Sequence, residues 1–323
     1  DFNVAVGVSA LAGDTLGSRS TALGYFALSV QNFTTATDVY NVAVGHGAGA
    51  SVTTGLYNTL IGGLAGDALT DADENVAVGQ SALTTDTKGS RNVAVGQIAL
   101  ASQNFTTSTS SYNTGVGYAA GGAITTGVNN TLIGALTGDA LTTGTRNVSV
   151  GYNNLSTDTK GQNTTAIGYQ ALANQNFTTA TDTYNTAVGY NAGVSVTTGI
   201  QNTLIGGLVG DALTNAHNNI SIGFGSLSTD TLGSASTALG TFALNAQNFT
   251  TATSSYNTAV GYNAGAGVTT GIENTIVGAL AGDAFSDADY NVAVGSQALS
   301  QDTLGSRSVA VGQSALFTQN FTT

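Results

Sequence analysis

Residues 75–91 read NVAVGQSALTTDTKGSR, and residue 92 begins the same phrase again with NVAVGQIAL. Variants of this phrase return along the whole chain. If the glycine after the aliphatic run is position 0, eighteen repeat units follow one another from Gly7 to Gly312. These glycines advance in steps of 17, except that every fourth step is 21, as from Gly24 to Gly45. Three short units and one long unit thus make a superrepeat, and a fixed period of this kind indicates a repeat array.

The residue types at each position predict strands. Position −1 is always Val, Ile or Leu, position −3 is Val, Thr or Ile, and position −2 is usually Ala. Alternating β-branched residues favour an extended chain, and the density of glycine disfavours a helix. The pattern therefore predicts an all-β parallel β-solenoid with one coil for each of the eighteen repeat units, as one continuous array over residues 1–323.

The alternation also predicts which side chains face inward. We expect the aliphatic residues at positions −3 and −1 to form the dry interior, with the alanine of position −2 facing outward. Strands that are apolar on both faces are usually buried on both faces. The small outward residue therefore predicts that the chain packs against copies of itself.

Position −4 is Asn in fourteen repeat units and Ser or Thr in the other four. We expect these amides to form a ladder in which each bonds to the coils above and below, and the glycine at position 0 to mark a bend. The members that define this predicted ladder are Asn41, Asn58, Asn75, Asn92, Gly45, Gly62, Gly79 and Gly96.

Composition excludes several classes of function. Only 7% of residues are charged, and the net charge of −12 repels phosphate backbones and anionic lipid. No apolar run reaches the roughly 18 residues of a membrane span. The absence of cysteine excludes disulfides and thiolate metal sites. Because neither end reads as the polar cap that solenoids need, we expect the chain to be a piece of a longer fibre.

The phrases NTTAIGYQAL (163–172) and NVAVGQSALTTDTKGSR (75–91) resemble the YadA-like head repeats of trimeric autotransporter adhesins and related repeats of bacteriophage tail fibres. The resemblance covers nearly the whole chain. It implies a left-handed parallel β-roll, a homotrimer packed around an axis, attachment outside the cell, and no enzymatic activity. The chain departs from the family pattern in two ways, because both kinds of unit are longer than the shortest adhesin head repeats and the superrepeat is not a general family feature.

Carboxylates recur in two columns. One occurs in the DTLG and DTKG turns, as at Asp14 and Asp86, and the other in the GDA turns, as at Asp67 and Asp139. Such uniform repetition favours turn capping over catalysis. The acidic turn TDADEN (70–75) could hold a hard cation, but equivalent turns lack its carboxylates. His46 and His217 are solitary. We therefore predict no catalytic residue, metal site or cofactor.

Aromatic residues and one insertion are the variable features. Tyrosine follows the key glycine in six repeat units and precedes the Asn position in six, and three units carry both. Tyrosine can cover a coil edge, join an interface or stack against sugars. The long units add a QNFTT segment whose phenylalanine is expected to tuck under the coil. The tyrosines predicted as possible surface contacts are Tyr25, Tyr118, Tyr152, Tyr169, Tyr190 and Tyr262.

These features together predict a non-catalytic fibre that mediates attachment from an extracellular, cell-surface or virion location. Its predicted partners are its own copies and cell-surface glycans, without nucleic acid binding or membrane insertion. Two alternatives stay open. An ice-binding solenoid would need threonine at alternating positions of one exposed strand in successive coils, whereas the Thr-Thr pairs shift between turns. A polysaccharide-degrading β-helix is the other.

Overall fold

A computed structural model describes residues 2–321 of the chain. They form an all-β parallel solenoid of eighteen coils, and no helix occurs among them. The chain divides into two compact units, residues 1–162 with 178–180, and residues 163–177 with 181–323. Each compact unit contains nine coil strands, which are the strands that carry positions −3 to −1 of a repeat unit. The two compact units are described in turn.

In the first compact unit, the nine coil strands pair in parallel with neighbours one coil away, in an unshifted register. Val76, Ala77 and Val78 pair with Val93, Ala94 and Val95, for example. The strands are β1 (Val4–Val6), β2 (Gly17–Ser18), β3 (Thr21–Leu23), β4 (Thr37–Asp38), β5 (Val42–Val44), β6 (Thr59–Ile61), β7 (Val76–Val78), β8 (Gly89–Ser90), β9 (Val93–Val95), β10 (Thr109–Ser110), β11 (Thr114–Val116), β12 (Thr131–Ile133), β13 (Val148–Tyr152) and β14 (Gly161–Gln162). Two pairs of short strands also form, β2 with β4 and β8 with β10, and the second strand of each pair lies in the insertion of a long unit.

The second compact unit repeats this organisation. Its coil strands again pair in parallel without slippage, as in Thr203 with Ile220. The strands are β15 (Thr165–Tyr169), β16 (Thr181–Asp182), β17 (Thr186–Val188), β18 (Thr203–Ile205), β19 (Ile220–Ile222), β20 (Gly233–Ser234), β21 (Thr237–Leu239), β22 (Thr253–Ser254), β23 (Thr258–Val260), β24 (Thr275–Val277), β25 (Val292–Val294) and β26 (Val309–Val311). The short strands β20 and β22 also pair.

The predicted assignment of strand faces is wrong. Ala77 and Ala94, at position −2, are completely buried inside the coil, whereas Val76 and Val78 on either side of Ala77 are only half-buried and face outward. The interior is narrow, because the residues at positions +4 and +7 enter it from other parts of the same coil. Only a small side chain fits beside them on the strand.

Side-chain volumes inside the coil compensate one another. Leu60 replaces the usual alanine at position −2, and its methyl groups occupy the space over Gly49 and Gly66, where a Cβ would lie 2.7 Å from Leu60 in each case. The same exchange of a large residue at −2 for glycine at +4 recurs in every fourth coil, at Leu132, Leu204 and Ile276. The superrepeat is therefore a packing period of four coils.

Position +7 carries a second four-coil pattern, of Asp, Gln and two apolar residues, and its side chains also point inward. The buried Asp86 carboxylate accepts hydrogen bonds from the Gly89 N–H (3.0 Å), the Phe105 N–H (3.0 Å) and Gln103 Nε2 (2.5 Å). Three donors therefore satisfy the hydrogen-bonding capacity of this buried side chain.

From Asn41 onward, each Asn at position −4 is buried. Asn75 shows the two kinds of contact that this position makes. Its Oδ1 accepts the Asn92 N–H of the next coil (3.0 Å), while its Nδ2 donates to the Gly89 carbonyl (3.0 Å). Gly79, at position 0, has a φ of +138°, and a Cβ there would lie 2.5 Å from the Gly96 carbonyl oxygen. The amide therefore links one coil to the next and closes its own, and the bend requires glycine.

Candidate binding surfaces

The outward side chains of the coil strands, at positions −3 and −1, form what we call the aliphatic band. Its members are Val, Ile, Leu or Thr in every coil, and none is charged. Ile61 and Ile133 are 38% and 39% exposed, and Val78 and Val95 are half-buried. Each compact unit thus carries an uncharged ladder of mostly β-branched side chains on a chain that otherwise depends on polar groups for its surface.

The six tyrosines predicted as surface contacts all lie at position +1 and are between 43% and 55% exposed. Some of their ring faces are occupied within the chain. Tyr25 stacks on His46 with centroids 5.3 Å apart, and Tyr169 stacks on Tyr190 at 5.4 Å, both with nearly parallel planes. Stacked rings of this kind present their edges and hydroxyl groups outward, which leaves less aromatic face for a ligand.

Tyr118 and Tyr262 differ from these pairs. Each is more than half exposed, and among the described residues no aromatic ring stacks on either one. The next coil carries Ala135 beside Tyr118 and Ala279 beside Tyr262 at the same position. A small neighbour leaves room over one ring face, so these two tyrosines can stack against a flat ligand.

The other tyrosine column, at position −5, also contains every arginine of the chain. Its residues have positive φ values, such as 65° at Arg19 and 55° at Tyr40. Arg19 lies over the Tyr40 ring at 5.5 Å and pairs with Asp38 at 2.8 Å, which raises the pKa of Arg19 and lowers the pKa of Asp38. The Arg19 cation on this edge is therefore occupied by neighbouring side chains.

The aspartates of the DTLG and DTKG turns are capping residues. Asp86, Asp158, Asp230 and Asp302 are completely buried, and each accepts the N–H of the glycine three residues later. The paired carboxylates that glycoside cleavage requires are not assembled by Asp67 and Asp86, because Asp86 faces the interior and the Asp67 Oδ1 accepts a hydrogen bond from Thr84 (2.5 Å).

The carboxylates of the acidic turn at 70–75 are occupied by neighbours. Asp71 pairs with Lys88 (3.5 Å), and Glu74 pairs with Arg91 (3.0 Å). Asp73 Oδ1 accepts the Leu56 N–H (2.8 Å). Residues 2–321 contain no group of three or more His, Cys, Asp or Glu that could hold a metal ion.

The two histidines have structural contacts. His46 lies under the Tyr25 ring, as described above. His217 Nδ1 accepts the Ile200 N–H (3.1 Å), which links two successive coils.

The threonines form more regular columns than the shifting Thr-Thr pairs of the sequence indicated. Thr53, Thr70 and Thr87 occupy one column, at position +8. The hydroxyls of Thr53 and Thr70 donate to the carbonyl of the next coil (3.1 and 3.0 Å), so this column is part of the inter-coil bonding. At position −3, ten coils carry Thr, always beside an aliphatic residue at −1. The strand thus alternates Thr with Val, Ile or Leu, and not with a second Thr.

The phenylalanines of four insertions tuck under the coil as predicted, whereas the same prediction is wrong for Phe321. Phe33, Phe105, Phe177 and Phe249 are 6–7% exposed, whereas Phe321 is 54% exposed. Sequence reasoning missed the glutamine two residues before each of them. Its inward direction could have been inferred from the shared position +7, where Gln alternates with Asp and aliphatic residues.

No protein-family model matches the chain, and no curated protein matches it. Among residues 2–321, no helix is present that could cross a membrane.

Proposed function

We propose that the chain is a segment of a self-associating, trimeric extracellular fibre that serves in attachment. The observation that carries the proposal is the aliphatic band. The resemblance to YadA-like head repeats and phage tail-fibre repeats supports the same assignment, and with it a left-handed roll and a location on a cell surface or virion. The proposed role is mechanical and involves no catalysis.

The band has the properties of an interface between chains. It is continuous over nine coils in each compact unit, and apolar patches of such extent usually mark interaction surfaces. At about 25 cal/mol per Å², covering a half-exposed Val or Ile contributes about 1 kcal/mol. Association costs roughly 4–15 kcal/mol, so a stable contact requires many coils at once. Parallel packing of whole bands therefore fits better than contact at a single coil.

Solution mass tests the proposal. We expect the unmodified chain to have a mass near three times 32.0 kDa by light scattering. Val78→Glu with Val95→Glu should shift it to monomer while the circular dichroism stays that of a β protein. The matched control is Gln80→Glu with Gln97→Glu, which adds the same two charges to the same coils outside the band and should leave the trimer intact. A stable monomer of the unmodified chain would refute the proposal.

For attachment, we propose that exposed tyrosines contact cell-surface glycans, with Tyr118 and Tyr262 as the principal contacts. Their uncovered ring faces can stack on a sugar ring. On a glycan array, Tyr118→Ala with Tyr262→Ala should lose binding, whereas Tyr25→Ala with Tyr169→Ala, which alters rings that already stack within the chain, should retain most of it. Equal loss in both variants, or no glycan binding by the unmodified chain, would contradict this assignment.

A further inference from the structure

A shallow depression of about 340 Å³ lies on the first compact unit and includes no member of the aliphatic band. It is lined by Ile98, Ala101, Ser102, Ala119, Gly122, Ala123 and Asp139. The depression exists because two successive coils carry only small residues at positions +5 and +6, while the third coil contributes Asp139. Its volume falls at the low end of small-ligand sites.

One carboxylate, that of Asp139, belongs to the lining of the depression. The Asp139 Oδ1 is buried and has no hydrogen-bond partner among the described residues, which is costly for a carboxylate oxygen. Burial raises the pKa of Asp139. The equivalent oxygen of Asp67, four coils earlier, accepts the Thr84 hydroxyl instead.

The corresponding oxygens of Asp211 and Asp283 also lack a partner, but their surroundings differ. Beside Asp211, the coils before it carry Val194 and Asn174 where the depression has Gly122 and Ser102. Beside Asp283, Asn245 stands in place of Ala101. At Asp139, where these larger side chains are missing, an unpartnered carboxylate oxygen coincides with an apolar hollow.

We propose that this depression binds a primary ammonium group carried on an unbranched aliphatic chain, such as a lysine side chain of a partner protein. The ammonium would donate to the Asp139 carboxylate, and Ser102 is the other polar side chain of the lining. The methylenes would lie along Ile98, Ala119 and Ala123. A charge-assisted hydrogen bond to the accessible part of the half-buried Asp139 carboxylate would form while the chain covers apolar surface. The site is independent of the proposed fibre assembly.

Saturation-transfer NMR on the full chain tests the assignment with three probes. These are Nα-acetyl-lysine N-methylamide, its uncharged norleucine counterpart, and pentylamine. We expect the lysine probe to bind and the norleucine compound to bind at least about tenfold more weakly, which is the factor expected for one hydrogen bond to a charged group. Binding of pentylamine equal to that of the lysine probe supports a site for alkylammonium groups generally. Binding of the lysine probe alone supports a site for protein side chains.

Three variants locate the binding. Asp139→Asn should reduce amine binding about tenfold or more without affecting the norleucine probe. Ala119→Leu should abolish binding of all probes by filling the depression, and it should fold because Leu64 and Leu136 occupy the same position with positive φ. Asp211→Asn is the matched control, because it alters an equally unpartnered carboxylate oxygen beside the larger Val194 and Asn174, and it should leave amine binding unchanged. Equal binding of charged and uncharged probes, unaltered binding in Asp139→Asn, or no binding at all would overturn the proposal.

Discussion

Replacing Asn75 with serine should open its coil, whereas the same replacement of Asn92, one coil later, should be tolerated. Asn75 is completely buried, and its side chain serves both the Asn92 N–H and the Gly89 carbonyl at 3.0 Å. The shorter serine hydroxyl cannot reach both groups. At least one buried backbone group then loses its partner.

The coil of Asn92 contains a substitute. Ser111 donates to the Asn92 Oδ1 (2.8 Å), and Gln103 lies against Ser111. Eight coils later, the equivalent of Asn92 is a natural serine, Ser236. There, Gln247 Nε2 donates to Ser236 Oγ (2.8 Å), and Ser236 shares a hydrogen bond of 2.6 Å with the equivalent of Ser111. Asn92→Ser therefore reproduces an arrangement that the chain already uses.

The expected magnitudes follow from the number of groups left without a partner. An unsatisfied buried group costs about 1–3 kcal/mol, so Asn75→Ser should destabilise its coil by about 3 kcal/mol and Asn92→Ser by less than about 1 kcal/mol. Solenoids do not unfold as a single two-state unit, so the measurement should be local. Amide hydrogen exchange should accelerate by about a hundredfold over residues 76–78 in Asn75→Ser, and by less than about tenfold over residues 93–95 in Asn92→Ser.

Similar acceleration in the two variants would show that the glutamine does not replace the amide. Unchanged exchange in Asn75→Ser would show that its two hydrogen bonds contribute nothing to coil closure. Either result would refute the reasoning.

Three further predictions concern backbone, packing and charge. Gly79→Ala should strongly accelerate amide hydrogen exchange in its own coil, since its Cβ would meet the carbonyl of the next coil. Gly63→Ala has nothing within 4 Å of the new Cβ and should change the local stability by less than about 1 kcal/mol by the same measurement. Leu132→Ala should destabilise the folded chain by about 2–5 kcal/mol, because it leaves an internal cavity. Ile133→Ala should change the stability little when it is measured in the monomeric Val78→Glu/Val95→Glu variant. Burial raises the pKa of Asp211 in the folded state. Ionisation of Asp211 therefore destabilises the folded state fully above the folded-state pKa, and not at all below the unfolded-state pKa of about 3.9. Asp211→Asn should therefore stabilise the protein at neutral pH by up to about 1 kcal/mol and not at pH 3, as measured by thermal melts.

The coil and its length were predictable because the glycine spacing and the aliphatic column are unbroken. The strand faces were not predicted correctly, since Ala77 and Val78 are both apolar and alternation alone does not say which one is inside. The deciding information lies at other positions of the coil: Leu60 is large only where Gly49 and Gly66 make room for it. The side-chain volumes at different repeat positions, taken together, identify the interior positions from the sequence alone.

The candidate surfaces were predictable to a smaller degree. The columns of Tyr118 and Tyr262 are visible in the sequence, but their uncovered ring faces depend on which residue stands one coil away in space. The depression beside Asp139 combines a lack of donors around one oxygen with small residues from two other coils, and spacing alone reveals neither. Only the structure shows that Thr84 lies next to Asp67 and that no described residue donates to Asp139 Oδ1.

The compensation of volumes between Leu60 and its neighbouring glycines constrains how such a chain can change length. Removing or duplicating a single coil would place two large residues in the same interior space, or two gaps opposite each other. Removing or duplicating a whole superrepeat restores every neighbour, including the Asp–Gln pairs. A gene with this internal repetition can therefore recombine with itself in steps of four coils and still encode a filled interior, whereas single-coil exchanges produce mispacked proteins.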